Sequence, residues 1–323
     1  MSPHQQDSPA SSAHKRELTH QSATSLIPAN MYCLLAVLAW SLGFPVGSVL
    51  METWDLLTLL LVKLLPSTVL LLIYWRLTEG RLPLNWHLWK KGLVIGGIGF
   101  GFGTVLLLYG QQISNPVTPA IAAAMMPIMA AILEVVLDRR VITPKLVIGI
   151  ICALFGGLIA AGVRWQGYDI GVGFIWCLGA VILYAWATRA TNVNLDELTS
   201  IGQTTITLTG AGCFISVTWL IAAAMYPQQI YIGPITSQSL LMLFAFSILS
   251  TAMSQPFWIA GARQLGVAIA SFHLNAVPVY VMAIMVYGFD GEWDIVRLGG
   301  AVIVGIGVII AQSEPVRRRP SRS

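Results

Sequence analysis

NPVTPAIAAAMMPIMAAILEVVL, Asn115–Leu137, decides how the chain is read. It is almost wholly apolar and long enough to cross a bilayer core of about 30 Å. Pro127 stands near its middle. A proline there removes one backbone hydrogen bond and clashes with the preceding turn, so a kink or loosening is expected. A bilayer tolerates the freed carbonyl only where protein or a water-filled cavity covers it, and a broken span of this sort points to a transport site. A second stretch, VAIASFHLNAVPVYVMAIMVYGF (Val267–Phe289), places Pro278 in the same way, 151 residues after Pro127. Gly110 and Gly261, Gly149 and Gly300, and Gly156 and Gly307 share that offset. Four coincidences in one ungapped register, where composition alone gives about one, imply a duplicated unit.

The composition sets the class. Of 323 residues, 56% are hydrophobic and 10% charged, with a mean hydropathy of +0.75. A soluble globular chain carries about 25% charged residues. The apolar residues come in blocks of about 20, too long for core helices. The chain therefore reads as an all-α polytopic membrane protein whose partners are the lipid bilayer and a small-molecule substrate. The net charge of +4 bears on topology and not on nucleic acid. Cys33, Cys152, Cys177 and Cys213 all fall inside apolar blocks without metal-ligand spacing, as packing residues do. No metal or cofactor is expected.

Ten spans follow: 29–50, 54–77, 88–110, 116–137, 144–163, 169–190, 197–225, 237–262, 267–289 and 294–313. With the N-terminus inside, the inner segments hold 15 of the 18 Lys and Arg and the outer loops only Arg164 and Arg297, leaving Lys63 within a span. Positive charge stays on the cytoplasmic side, so both termini are expected to be cytoplasmic. Five spans is an odd number, so the second unit must enter the membrane from the opposite side. The organisation is a polar, disordered tail (1–28), a five-helix repeat (29–163), an inverted five-helix repeat (169–313) and a basic tail (314–323). The N-terminal tail reads as cytosolic and not as a signal peptide, having no continuous apolar core. The third span is dense in glycine, with GxxxG pairs at Gly97/Gly101 and Gly99/Gly103; close helix packing is the reading, ahead of any ligand role.

At these residues the sequence resembles the EamA branch of the drug/metabolite transporter superfamily. The resemblance is carried by Pro127 followed by Gly149 and Gly156, and by their copies Pro278, Gly300 and Gly307. AWSLGFPVG (Ala39–Gly47) is similar to the opening of that family's first repeat, and LYAWATRA (Leu183–Ala190) to the opening of its second. The resemblance covers about Asn30 to Gln312. It implies two inverted five-helix repeats, a central cavity lined largely by the third, fourth, eighth and ninth spans, and export or exchange of amino acids and related metabolites. There are departures. The glutamate usual thirteen residues after each proline is replaced by Arg140 and Gly291, and Lys63 stands where the family commonly has a second-span arginine. The fold reading is untouched; the transfer of any one substrate or coupling ion is weakened.

Several side chains within spans are candidates for function. Lys63, in LTLLLVKLLPS, is an ionisable group at bilayer depth, which by default marks a site. It is either a counter-charge for an anionic or carboxylate substrate, or a structural partner for a carbonyl or for Glu134, or a side chain snorkelling toward an interface. Glu134 is either a proton-coupling carboxylate or a residue facing inner-side water near Arg139 and Arg140. His273 is the other candidate for proton coupling, set against the interhelical hydrogen bonding usual for a lone membrane histidine. On an α-helix Asn275 lies about 200° round from it. Gln255 and Trp258 flank Pro256. With Trp40, Tyr109, Trp186 and Tyr280 they compose a set of rings and amides suited to an amphipathic organic solute; the interfacial aromatic belt is the alternative. The threonine-rich seventh span reads as packing or a cavity wall.

The function expected is secondary active transport of a small organic metabolite, an amino acid or related solute, by alternating access. Export is implied by the resemblance, a bacterial inner (plasma) membrane is the expected location, protons are a candidate coupling ion, and the assembly is a monomer or weak dimer. An intramembrane enzyme is the first alternative, but the chain lacks G-x-S-x-G and H-E-x-x-H and its five histidines are scattered. A channel is the second, although channels favour rings of like residues from several subunits.

Overall fold

A bilayer leaves a chain two ways to satisfy its backbone, and this one uses helices. The computed structural model describes residues 26–80, 85–113, 119, 122–123, 125–139, 141–160, 172–288 and 295–313. The tail up to residue 25, the tail from 314, Arg140, Arg164, Asp169 and Gly291 lie outside the described residues, as does most of the segment leading into Pro127. Among the described residues, seven helices are long and apolar enough to cross a membrane: α1 (Leu26–Met51), α2 (Leu56–Glu79), α3 (Trp86–Gln112), α6 (Val172–Asn194), α7 (Ser200–Met225), α8 (Ser237–Leu265) and α9 (Val267–Gly288). Three shorter ones complete the described set: α4 (Met126–Asp138), α5 (Pro144–Ala160) and α10 (Ile295–Gln312).

Caps define the helix starts. The Asp55 carboxylate accepts from the backbone N–H of Leu57 and Thr58 at the head of α2, and the Thr199 hydroxyl from Gly202 at the head of α7. Asn85 caps α3 and Thr236 caps α8 through a reciprocal box with Ser239. These caps recur in step: Thr199 lies 144 residues after Asp55, and Thr236 lies 151 after Asn85. Each of α3 and α8 contains a π-helical stretch, Ile95–Phe102 and Ala245–Met253, also in register at 151.

The close approaches recur at the same two offsets. A Cβ on Gly99 would lie 2.2 Å from the Cβ of Ala187; 151 residues after Gly99 and 144 before Ala187, a Cβ on Gly43 would lie 2.3 Å from Ser250 Oγ. A Cβ on Gly96 would lie 1.8 Å from the Thr207 carbonyl oxygen, while in the corresponding pair Ser247 Oγ is 2.8 Å from the Lys63 carbonyl oxygen. α5 and α10 pack through Gly149 and Gly307 and through Gly156 and Gly300, near enough that an added Cβ would meet a backbone oxygen at 2.8 and 2.6 Å. Helices at this distance gain dispersion contact along their whole length.

The two prolines stand differently in their helices. Pro127 sits in the first turn of the described α4, where a missing N–H is harmless. Ahead of Pro278, α9 narrows into a 3₁₀ segment, Ser271–Ala276, and resumes as α-helix at Val277. The irregularity precedes the proline, because the ring constrains the turn before it.

Gly96→Ala is expected to force α3 and α7 apart, since the atom it meets is backbone, and to destabilise the protein by about 1–3 kcal/mol. Gly305→Ala, with no described atom within 4 Å of the new methyl, is expected to be neutral or slightly stabilising. Thermal unfolding of the two variants in detergent checks the contrast.

Candidate functional site

Four helices, α1, α3, α6 and α8, enclose a cavity of about 140 Å³, with Lys63 and Leu64 of α2, Leu208 of α7, Pro119 and Ala123 ahead of α4, Met126 of α4 and Leu274 of α9 completing its wall. A single water needs roughly 10–15 Å³ measured in this way, so there is room for several waters or a small organic solute. Among the lining residues Lys63 alone carries a formal charge.

The polar wall comes mainly from α8. Ser250, Thr251, Ser254, Gln255 and Trp258 lie along one side of it, at spacings that share a helix face. Hydroxyls are tolerated there because each has a local acceptor: Ser254 Oγ donates to the Ser250 carbonyl at 2.6 Å, and Thr251 Oγ1 to that of Phe246 at 3.2 Å. The latter spans five residues, the register of a π-helix. Ser250 Oγ lies 3.2 Å from the Trp40 carbonyl of α1. Opposite, Tyr184 donates to Thr104 Oγ1 at 2.9 Å, tying α6 to α3. The Trp258 indole donates to Thr188 Oγ1 at 3.0 Å, tying α8 to α6.

Lys63 is held at its backbone and loose at its tip. Its carbonyl lies 2.6 Å from Ser67 Oγ and 2.8 Å from Ser247 Oγ, and those two hydroxyls are 2.9 Å apart. The ammonium stands 4.3 Å from the centre of the Phe246 ring, a cation–π contact. Phe246 is itself wedged beside Gly43 and Gly47 of α1.

Of the residues singled out in the sequence, Lys63, Trp40, Gln255 and Trp258 line this cavity. Tyr109 is 42% exposed and packs edge-on against Trp176. Trp186 lies beside Gly99, and Tyr280 packs on the main core. On α9 the lining residue is Leu274, while its neighbours His273 and Asn275 point elsewhere and are buried. His273 Nδ1 is 3.0 Å from the Ala270 carbonyl, and Asn275 Nδ2 has no hydrogen-bond partner among the described residues. Glu134 is buried, not facing water, and its carboxylate accepts the Ala268 N–H at 3.0 Å, at the head of α9 where the helix dipole favours negative charge. Close by in the chain, Asp138 receives both Nε and an Nη of Arg189, at 2.8 and 2.5 Å. The fourth span gives the wall Pro119, Ala123 and Met126 and α9 gives it Leu274; the contributions of α1 and α6 go beyond what the resemblance implied. Thr188, Thr104 and the α8 hydroxyls were not singled out, although the row Ser247, Ser250, Thr251, Ser254 is visible as a polar stripe in an apolar span.

The profile of the EamA-like transporter family matches residues 27–161. A curated relative, the uncharacterized transporter YyaM of Bacillus subtilis (strain 168), is 27% identical over 228 residues, covering 68% of this chain and 72% of that protein. A solved structure, titled only as the crystal structure of a protein, has a TM-score of 0.70 over 88% of this chain and 96% of its own, at 16% identity, and shares the fold. The cavity wall is assembled mainly from α1, α3 and α8, with one cation at its side.

Trp258→Phe keeps most of the ring and removes the donor to buried Thr188; a loss of about 1 kcal/mol of stability is expected. Thr188→Val should cost a similar amount, and the double variant little more than either alone. A double-mutant cycle on thermal unfolding in detergent reads this coupling.

Proposed function

We propose that this chain is a multi-pass membrane transporter and that it carries a small organic solute bearing a carboxylate, amino acids and related metabolites being the class the resemblance implies. The observation that carries the reading is Lys63: one ammonium, on a rigidly bonded backbone, at the side of a cavity walled by aromatic rings, hydroxyls and amides. An ionisable side chain inside apolar helices is expensive and is kept where a ligand uses it.

The mechanism follows from the arrangement. The caps, π-helical stretches and close approaches that recur at offsets of 144 and 151 support two five-helix repeats of opposite sense, related by a pseudo-two-fold axis in the membrane plane. Rocking of one repeat against the other would expose the cavity to each side in turn. With the basic ends taken as cytoplasmic, both termini lie inside. The lining residues Met51 and Gln111 then mark the outer mouth. The Trp258–Thr188 bond, the Glu134 carboxylate on the head of α9 and the Arg189–Asp138 pair close the inner end. In this reading the conformer is open outward. The buried ionisable groups Glu134 and His273, on the helices that meet at that inner end, are the groups assigned to proton coupling. A bacterial inner membrane, net export, and a monomer or weak dimer complete the proposal.

Solute exchange in reconstituted vesicles, run with and without a proton gradient, tests it. Lys63→Ala is expected to abolish transport with insertion and yield unchanged; transport surviving that change would remove Lys63 from the site. A single-cysteine variant at Gln166 should react with an impermeant thiol reagent from outside the cell only, and labelling from the cytosol would overturn the inverted arrangement.

A further inference from the structure

We propose that the solute taken up by this cavity is a net organic anion, a carboxylate with an apolar or aromatic body and no ammonium group, in preference to an amino-acid zwitterion. The inference rests on the transport reading of the cavity and narrows its substrate. It comes from placing every described carboxylate. Asp55 is committed to the backbone N–H of Leu57, Thr58 and Tyr231. Glu79 is committed to Trp75 and Thr199. Glu134 receives the Ala268 N–H, and Asp138 receives Arg189. The remaining three, Glu52, Asp196 and Glu197, stand in the turns after α1 and α6, and none is in the wall. Among the described residues, the cavity thus has one positive charge and no negative one.

That imbalance selects by charge. A carboxylate at Lys63 gains an ion pair in a poorly screened setting. An α-amino acid would bring its own ammonium within a few ångströms of the same lysine. Repulsion would then cancel much of the gain, and the wall offers that ammonium only neutral partners, namely amide oxygens of Gln111 and Gln255 and ring faces. A cation left with such partners keeps a desolvation penalty. The same acid without the amino group keeps the whole attraction and lays its body on Trp40, Phe44 and Phe100. Rejection of the zwitterion is a repulsive element, the usual route to discrimination between solutes of equal size. Loading also has a simple geometric step: the ammonium leaves the face of Phe246, a weaker partner, for the carboxylate.

The test uses the purified full-length protein and sets of solutes that share a body: phenylpyruvate and 3-phenyllactate (anions), phenylalanine (zwitterion) and phenethylamine (cation), with 4-methyl-2-oxopentanoate against leucine as an aliphatic pair. Binding is read by intrinsic tryptophan fluorescence and by thermal shift, and exchange is read in proteoliposomes. The anions are expected to bind at least about tenfold more tightly than the matching zwitterions, with the amine weakest. Lys63→Gln should bring anion and zwitterion to within about threefold of each other, and Lys63→Arg should preserve the order. Exchange of phenylalanine or leucine as effective as that of the anions would overturn the charge selection while leaving a transporter. An anion preference that survives Lys63→Gln would overturn the role given to Lys63. If neither the anions nor the amino acids bind or exchange, both the charge selection and the transport reading of the cavity fall.

Discussion

The carbonyl oxygen of Lys63 is the fixed point of the cavity. It lies within hydrogen-bonding distance of two serine hydroxyls, one from its own helix and one from α8. A carbonyl in a membrane helix cannot turn to water for a second partner, so a hydroxyl from a neighbouring helix holds it at little cost. The tie joins α2 to the π-helical stretch of α8 and sets Phe246 over the ammonium. It also fixes the row of α8 polar groups that follows Ser247, because a helix pinned at one residue is pinned in rotation. The charge of the site and its neutral wall are therefore positioned by one contact.

The same constraint explains why the wall is built from small polar residues and glycine. Where α3 meets α7, Gly96 brings backbone against backbone; where α8 meets α2, Ser247 fills the equivalent gap and donates into it. One exchange of hydrogen for a hydroxymethyl group turns a packing contact into a polar tie. It happens on the α8 side, the side that supplies most of the polar wall. A scaffold whose contacts recur at fixed offsets becomes chemically one-sided in this way. The asymmetry is greatest around Lys63, whose counterpart 144 residues on is Thr207, a residue that bonds back to its own helix.

What could be read from the sequence follows from what leaves a signature in one dimension. The apolar blocks announce the helices, because a lipid-facing surface must be apolar over the whole length of a span. Lys63, Trp40, Gln255 and Trp258 are conspicuous because a charge, an amide or a large ring interrupts such a block. Thr188 and Thr104 are not, since a threonine in a span is as easily absorbed by its own helix carbonyl; only the partners Trp258 and Tyr184 give them a role. The choice between His273, Leu274 and Asn275 was out of reach for another reason. Which face a residue occupies is inferred from a constant turn angle, and α9 changes from α to 3₁₀ at Ser271. Pro278 stands next to an irregular stretch, but the tightening falls in the residues before it.

On the proposed reading, a lone lysine resting on a phenylalanine is also a sensible way to carry a solute repeatedly. Had a carboxylate stood in the wall, the ammonium would be occupied in the empty cavity, and a solute would have to displace an ion pair that becomes stronger as water is excluded. Removing one partner of a buried pair is strongly unfavourable, so loading would be slow. An ammonium with no partner at all would carry the full desolvation penalty between turnovers. The ring face lies between these limits, at roughly 0.5–2 kcal/mol. It is enough to keep Lys63 oriented across the gap between α2 and α8, and little enough for a carboxylate to draw it away. Release works by the same margin in reverse, because the ring remains beside the site to receive the ammonium when the solute leaves.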